Sequence, residues 1–133
     1  MKKALSIFSI LCCFALTACA SKQRAASLES TVNSYARALR EADGSLLLGF
    51  VSPEKQRVFA SNSATLGSFK FSNVEVRKIF PDSRLDTALV SLNLEFFDQS
   101  GSELIETTRQ YAWAFDPTKK AWFLKEATPF GSR

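Results

Sequence analysis

Ala88-Leu89-Val90-Ser91-Leu92-Asn93-Leu94-Glu95-Phe96 is the stretch that decides the fold. Ala88, Val90, Leu92, Leu94 and Phe96 recur at every second position, with Ser91, Asn93 and Glu95 between them. Successive side chains of a strand point to opposite faces, so this is a strand with one apolar and one polar face. Such a strand needs partners along both edges and a layer over its apolar face.

The partners lie on either side in the chain. Upstream, Phe69 to Phe80 reads as a strand, with a bulge near Asn73 because Phe69 and Phe71 fall out of phase with Val74 and Val76. Pro81-Asp82-Ser83-Arg84 is a turn joining the two. Downstream, Asp98-Gln99-Ser100-Gly101-Ser102 is a hairpin loop whose glycine suits a positive φ. A third strand follows from about Glu103 to Phe115, then a type I turn at Asp116-Pro117-Thr118-Lys119. A last strand carries Trp122 and Leu124 on one face, Phe123 and Lys125 on the other.

The covering layer comes first in the chain. Leu28, Val32, Tyr35, Ala36 and Leu39 form one apolar helical stripe, opposite Glu29, Asn33, Arg37, Arg40 and Glu41. Asp43-Gly44 is expected to end that helix. Leu46-Leu47-Leu48 and Phe50-Val51 make a short buried segment, and Ser52-Pro53-Glu54 has the composition of a helix start with a capping serine. The third helix is expected to reach about Ser61 with Val58 and Phe59 inward. Helices followed by a meander of about four antiparallel strands define an α+β fold, the helices packed on one face of the sheet.

Ahead of the stripe, Met1-Lys2-Lys3 precedes an apolar run from Ala4 to Ala18 that is too short to span a bilayer and has the proportions of a secretory signal. Leu16-Thr17-Ala18-Cys19 resembles the bacterial lipobox, in which the cysteine thiolate accepts a diacylglyceryl group. An ordinary cleavage site at Ala18-Cys19-Ala20 is the alternative. The resemblance implies residues 1–18 as a cleaved lipoprotein signal, acylated Cys19 with a tether over 19–26, polar and alanine-rich and either mobile or fraying into the first helix, and a single domain over 27–133. Ala20, where an aspartate would signal inner-membrane retention, implies the outer membrane of a Gram-negative cell, facing the periplasm.

Seventeen basic residues stand against 13 acidic ones, a formal +4 that nears neutrality once Lys2 and Lys3 leave with the signal. The charges are scattered, so a nucleic-acid groove is not expected. Cys12 and Cys13 also leave with the signal, so no intramolecular disulfide can form and the fold rests on its core. Of the twelve phenylalanines, Phe8 and Phe14 leave with the signal; the ten that remain, with two tryptophans and two tyrosines, supply the aromatic area for one. The chain has no histidine, which removes the commonest general base and most zinc sites. No glycine-rich phosphate loop occurs, and no metal or cofactor is expected. Ser52-Pro53-Glu54-Lys55 fits S-x-x-K, the nucleophile motif of penicillin-binding proteins and β-lactamases, but the S-D-N and K-T-G elements of those enzymes are missing.

The element order, the helix ending at Ala42-Asp43-Gly44 before Leu47 and Phe50, and the closing strands Tyr111-Ala112-Trp113-Ala114-Phe115 and Ala121-Trp122-Phe123-Leu124 resemble the nuclear transport factor 2-like (polyketide-cyclase-like, cystatin-like) superfamily over Leu28 to Thr128. That resemblance implies a curved sheet cupping the helices around a conical pocket.

Alternation along the third strand puts Ile105, Thr107, Arg109, Tyr111, Trp113 and Phe115 on one face. If that face lines the pocket, Arg109 can grip an acidic head group, with Tyr111, Trp113 and the helix residue Tyr35 beside it. A buried arginine is usually paired, however, and an acid on a neighbouring strand, such as Glu95, is the expected partner, with the arginine stem packed on Trp113 or Tyr111. The tyrosines have core packing as their alternative role. For an enzyme the available carboxylates are Asp43, Asp86, Glu95 and Glu106, none of them spaced to force two into one cleft.

The expected protein is a non-catalytic binding or accessory module of an envelope complex, held to the membrane by Cys19, whose partner is an envelope protein or, in a homodimer, a second copy of itself. A carrier or sensor of a small amphipathic ligand is the alternative, and a cyclase- or isomerase-like enzyme a third.

Overall fold

The computed structural model describes residues 2–98 and 100–133, with side chains from Ala18 onward except Gln99. Helix α1 runs over Lys2–Arg40, α2 over Gly44–Leu48 and α3 over Gln56–Asn62, with short 3-10 turns at Pro53–Lys55 and Leu66–Ser68. Strands β1 (Lys70–Pro81), β2 (Thr87–Phe97), β3 (Leu104–Asp116) and β4 (Ala121–Leu124) form one antiparallel sheet in chain order. The helices lie on one face of it, as the periodicities require.

Strand β2 sits at the centre, with Ala88, Val90, Leu92 and Leu94 buried against α1. From the helix come Leu28, Val32, Tyr35 and Leu39, and from the closing strands Tyr111, Trp113, Trp122 and Leu124. The β1–β2 register slips between Phe71 and Asn73, where the phase change was legible, and again between Val76 and Lys78. Each slip is an extra residue that bends β1 over the helices.

Four local expectations are corrected. The segment 20–26 is not a loose tether but part of α1, and its Arg24 is bound to the domain: its guanidinium reaches Asp86 at 3.1 Å and stacks over the Phe115 ring at 4.1 Å. Trp122 Nε1 donates to the Arg24 carbonyl at 3.1 Å. Ala42, not Gly44, makes the left-handed turn that ends α1: at φ 53° it lets Asp43 N–H reach back to the Ala38 carbonyl. Asp43 then caps α2, accepting from the amides of Ser45 and Leu46.

Ser52 makes no capping bond to the backbone; its side chain instead bonds to Glu54, whose carboxyl is held below its usual range by its own backbone hydrogen bond and then by Ser52. Val58 is 52% exposed while Phe59 is fully buried, because only one of two successive helical positions can face the sheet.

Candidate functional site

The site is shaped by the edge of β3 that β4 leaves half covered. Strand β4 pairs with β3 only from Trp113 to Asp116. Beyond it, Lys125 N–H bonds to the Ala112 carbonyl, and both carboxylate oxygens of Glu126 accept from Ala112 N–H at 2.9 and 3.0 Å. Ser132 then resumes the ladder through two 2.8 Å bonds with Gln110. Between these anchor points the chain from Ala127 to Gly131 loops over the helix-facing side of the sheet. Gly131 makes the return at φ 62°, where a Cβ would lie 2.5 Å from the Gln110 carbonyl oxygen.

That loop fills the mouth of the fold. Tyr35 and Tyr111 both donate to the Pro129 carbonyl, at 3.1 and 3.0 Å. Their rings meet edge-on at 5.5 Å, and Trp113 and Phe50 close on Tyr35 at 5.4 and 5.5 Å in the same geometry. Burial raises the Tyr35 phenol well above its ordinary value, with Tyr111 and Glu126 adding to it. Burial also raises Tyr111, against the pull of the nearby Arg109 charge. The indole N–H of Trp113 is buried without a hydrogen-bond partner.

What remains open is a cavity of about 350 Å³ beyond Phe130, lined by Thr65, Phe69, Phe71, Leu94, Phe96, Thr107, Arg109 and Phe130. Its phenylalanines interlock: Phe69 stands edge-on to Phe96 at 5.4 Å and to Phe130 at 5.5 Å. Arg109 is half-buried and is the one charged residue in the lining. Among the described residues the ion pairs are Arg24–Asp86 and Arg77–Glu75, so Arg109 is left without an acid.

Of the four expected pocket residues, three from strand alternation and Tyr35 from the helix stripe, only Arg109 lines the cavity; Tyr35, Tyr111 and Trp113 belong to the packed core. The expected Arg109–Glu95 pair does not form. Arg109 stands opposite Leu92 on the helix-facing side, whereas Glu95 lies one strand position out of phase on the other face, opposite Glu106 and near Ser72. The remaining carboxylates are engaged elsewhere: Asp43 at the α2 cap, Asp86 with Arg24, Glu106 accepting from Asn93 Nδ2 at 3.0 Å. Lys55 donates to the Lys125 carbonyl at 2.6 Å, which places its amine on the backbone and not on Ser52.

The residues missed were Thr65, Phe69, Phe71, Leu94, Phe96, Thr107 and Phe130 as a set. Alternation placed Leu94, Phe96 and Thr107 on the inner face and put Phe69 with Phe71 at the start of the first strand, out of phase with Val74 and Val76, but Phe130 lies in no periodic element. Cys19 is exposed with a free thiol, while Leu16 and Thr17, the other half of the lipobox resemblance, lie outside the residues with described side chains. Among the described residues, no helix is long and apolar enough to cross a membrane.

A helical layer on a four-stranded antiparallel meander, with an inner-face cavity, is the nuclear transport factor 2-like fold. Solved structures of that shape bear this out. A SEC-C motif containing protein from Rhodopseudomonas palustris superposes with a TM-score of 0.61 at 18% identity, over 77% of each chain. A ketosteroid isomerase-like protein from Erwinia carotovora atroseptica gives 0.58 at 16% identity, over 77% of this chain and 90% of the other. A Mycobacterium tuberculosis protein, solved in complex with estradiol-17β-hemisuccinate, gives 0.54 at 11% identity, over 75% and 92%. At these identities the likeness is one of fold alone. No protein-family model and no curated protein sequence matches the chain.

Proposed function

We propose that this protein is a lipid-anchored, non-catalytic carrier or sensor that holds a small amphipathic anion in the Arg109 cavity. The observation behind it is an unpaired arginine in a wall otherwise made of four phenylalanines, a leucine and two threonines. A guanidinium left unpaired in an apolar wall is poorly solvated, and a carboxylate or phosphate would satisfy it bidentately while the rings take an apolar body. Likeness of fold adds support: one neighbour was solved with a ligand that joins a steroid body to a carboxylate-bearing hemisuccinate. The lining offers no carboxylate or histidine to move a proton, which favours binding over an isomerase-like reaction. Acylation of Cys19 would hold the carrier to the membrane facing the periplasm.

Native mass spectrometry of the detergent-extracted protein tests this. The expected result is a mature chain beginning at acylated Cys19 and carrying an additional mass of a few hundred daltons, lost in Arg109→Leu. A bare acylated mass from gently purified protein would count against the carrier.

The second reading, an accessory module of an envelope complex, is favoured by the outer sheet face. Phe80 and Leu89 pair across β1 and β2 with 53% and 39% of their surfaces exposed. Crosslinking in cells from position 89 would capture the partner, or a second copy of this chain, if that face is covered.

A further inference from the structure

The contacts of Arg24 change what the anchor does. A flexible tether would let the domain tumble above the bilayer, but here the chain leaving Cys19 is helical and seated on the domain within a few residues. From Cys19 to Arg24 a helix rises about 7.5 Å, roughly the depth of one headgroup layer. A cleft of about 350 Å³ between α1 and the β3–β4 turn has Ala20, Gln23, Arg24 and Ser27 on one wall and Phe115, Pro117 and Lys120 on the other. Ala20 is the residue next to the acylation site, so the turn from Asp116 to Lys120 lies at the height where the acyl chains enter.

The turn is basic on balance. Asp116 spends its carboxylate on the amides of Thr118 and Lys119, and Asp86 spends its own on Arg24. Lys119 Nζ lies 5.3 Å from the centre of the Phe123 ring, and neither Lys119 nor Lys120 has an acid within ion-pair distance among the described residues.

We propose that the β3–β4 turn, with Lys119 and Lys120, is a docking surface for anionic phospholipid headgroups, and that Arg24 fixes it at that height. The proposal rests on the acylation of Cys19. Lysines within a headgroup's reach of an anionic surface are attracted to it, and the acyl chains hold them there. It follows that the Arg109 cavity stands off the bilayer: β3 carries Arg109 about 24 Å from Asp116 at the usual strand rise. A ligand would then enter from the aqueous side and not from the membrane carrying the protein.

Nitroxide depth measurements on the acylated protein in vesicles test this. After signal removal and acylation, an engineered cysteine is the sole free thiol. A label at Thr118→Cys is expected to lose access to a water-soluble relaxation agent several-fold in phosphatidylglycerol vesicles relative to phosphatidylcholine. A label at Glu103→Cys, on the far hairpin, should stay accessible in both. Lys119→Glu with Lys120→Glu should restore access at position 118 while the intact mass still shows the acyl groups. A fully accessible Thr118→Cys label on an acylated protein in phosphatidylglycerol would overturn the docking surface and leave the anchor standing. A mature mass without acyl groups would overturn the anchor, and the surface with it.

Discussion

Tyr35 on α1 and Tyr111 on β3 donate their hydroxyls to one oxygen, the Pro129 carbonyl, at 3.1 and 3.0 Å. They are the only tyrosines in the chain, and both are fully buried. The arrangement ties the helix, the sheet and the C-terminal loop at a single point, and it closes the part of the inner face that an open cone would leave hollow.

Removing one donor leaves the carbonyl satisfied by the other. Tyr35→Phe and Tyr111→Phe should each cost about 1 kcal/mol. The double variant leaves a buried carbonyl with no partner, so its loss should exceed the sum of the two by at least about 1 kcal/mol. Urea denaturation of the four proteins closes the cycle, and strict additivity would mean that the two bonds are independent.

Both phenols are raised above the ordinary value of 10.0 by burial. A phenol raised in the folded state contributes stability that is intact below the unfolded value. That contribution is lost above it, where only the unfolded chain releases its proton. Stability should therefore be flat with respect to these groups up to about pH 10, then fall by as much as ~2.7 kcal/mol per pH unit for two protons. Phenolate absorbance should appear in one step together with loss of the near-ultraviolet circular dichroism. A gradual rise centred on pH 10 in protein that is still folded would contradict the packing.

Gly131 is required by space as well as by backbone angle. Its φ of 62° is unfavourable for any side chain, and a Cβ there would meet the Gln110 carbonyl oxygen at 2.5 Å and the Tyr111 ring at 2.9 Å. Gly131→Ala should cost about 2 kcal/mol or more. Amide exchange should quicken at Gln110 and Ser132 first, because their paired bonds hold the end of the loop. Unchanged exchange at both amides would place the return elsewhere.

Arg109 should matter to binding and not to folding. Replacing an unpaired, half-buried charge by an apolar side chain of smaller reach removes a desolvation cost. Arg109→Leu is expected to keep or raise the Tm while abolishing anion binding, measured by thermal unfolding with and without a medium-chain fatty acid. A large fall in Tm without ligand would show that the arginine is a structural element.

Period and punctuation in the sequence determined the helices, the four strands, the hairpin glycine Gly101 at φ 72° and the first bulge of β1, because each follows from residues close in the chain. They also put Arg109 on the inner face. Tertiary structure alone decided three further things. It set which inner-face residues are core and which line a cavity, it left Arg109 without Glu95, and it seated residues 20–26 on the domain through Arg24. Alternation tells only that Tyr111 and Arg109 share a face; a loop from the far end of the chain, carrying Pro129 and Phe130, covers one and leaves the other open. Contacts such as Arg24 to Asp86, 62 positions apart, arise only when the sheet has brought those positions together, and no local pattern encodes them.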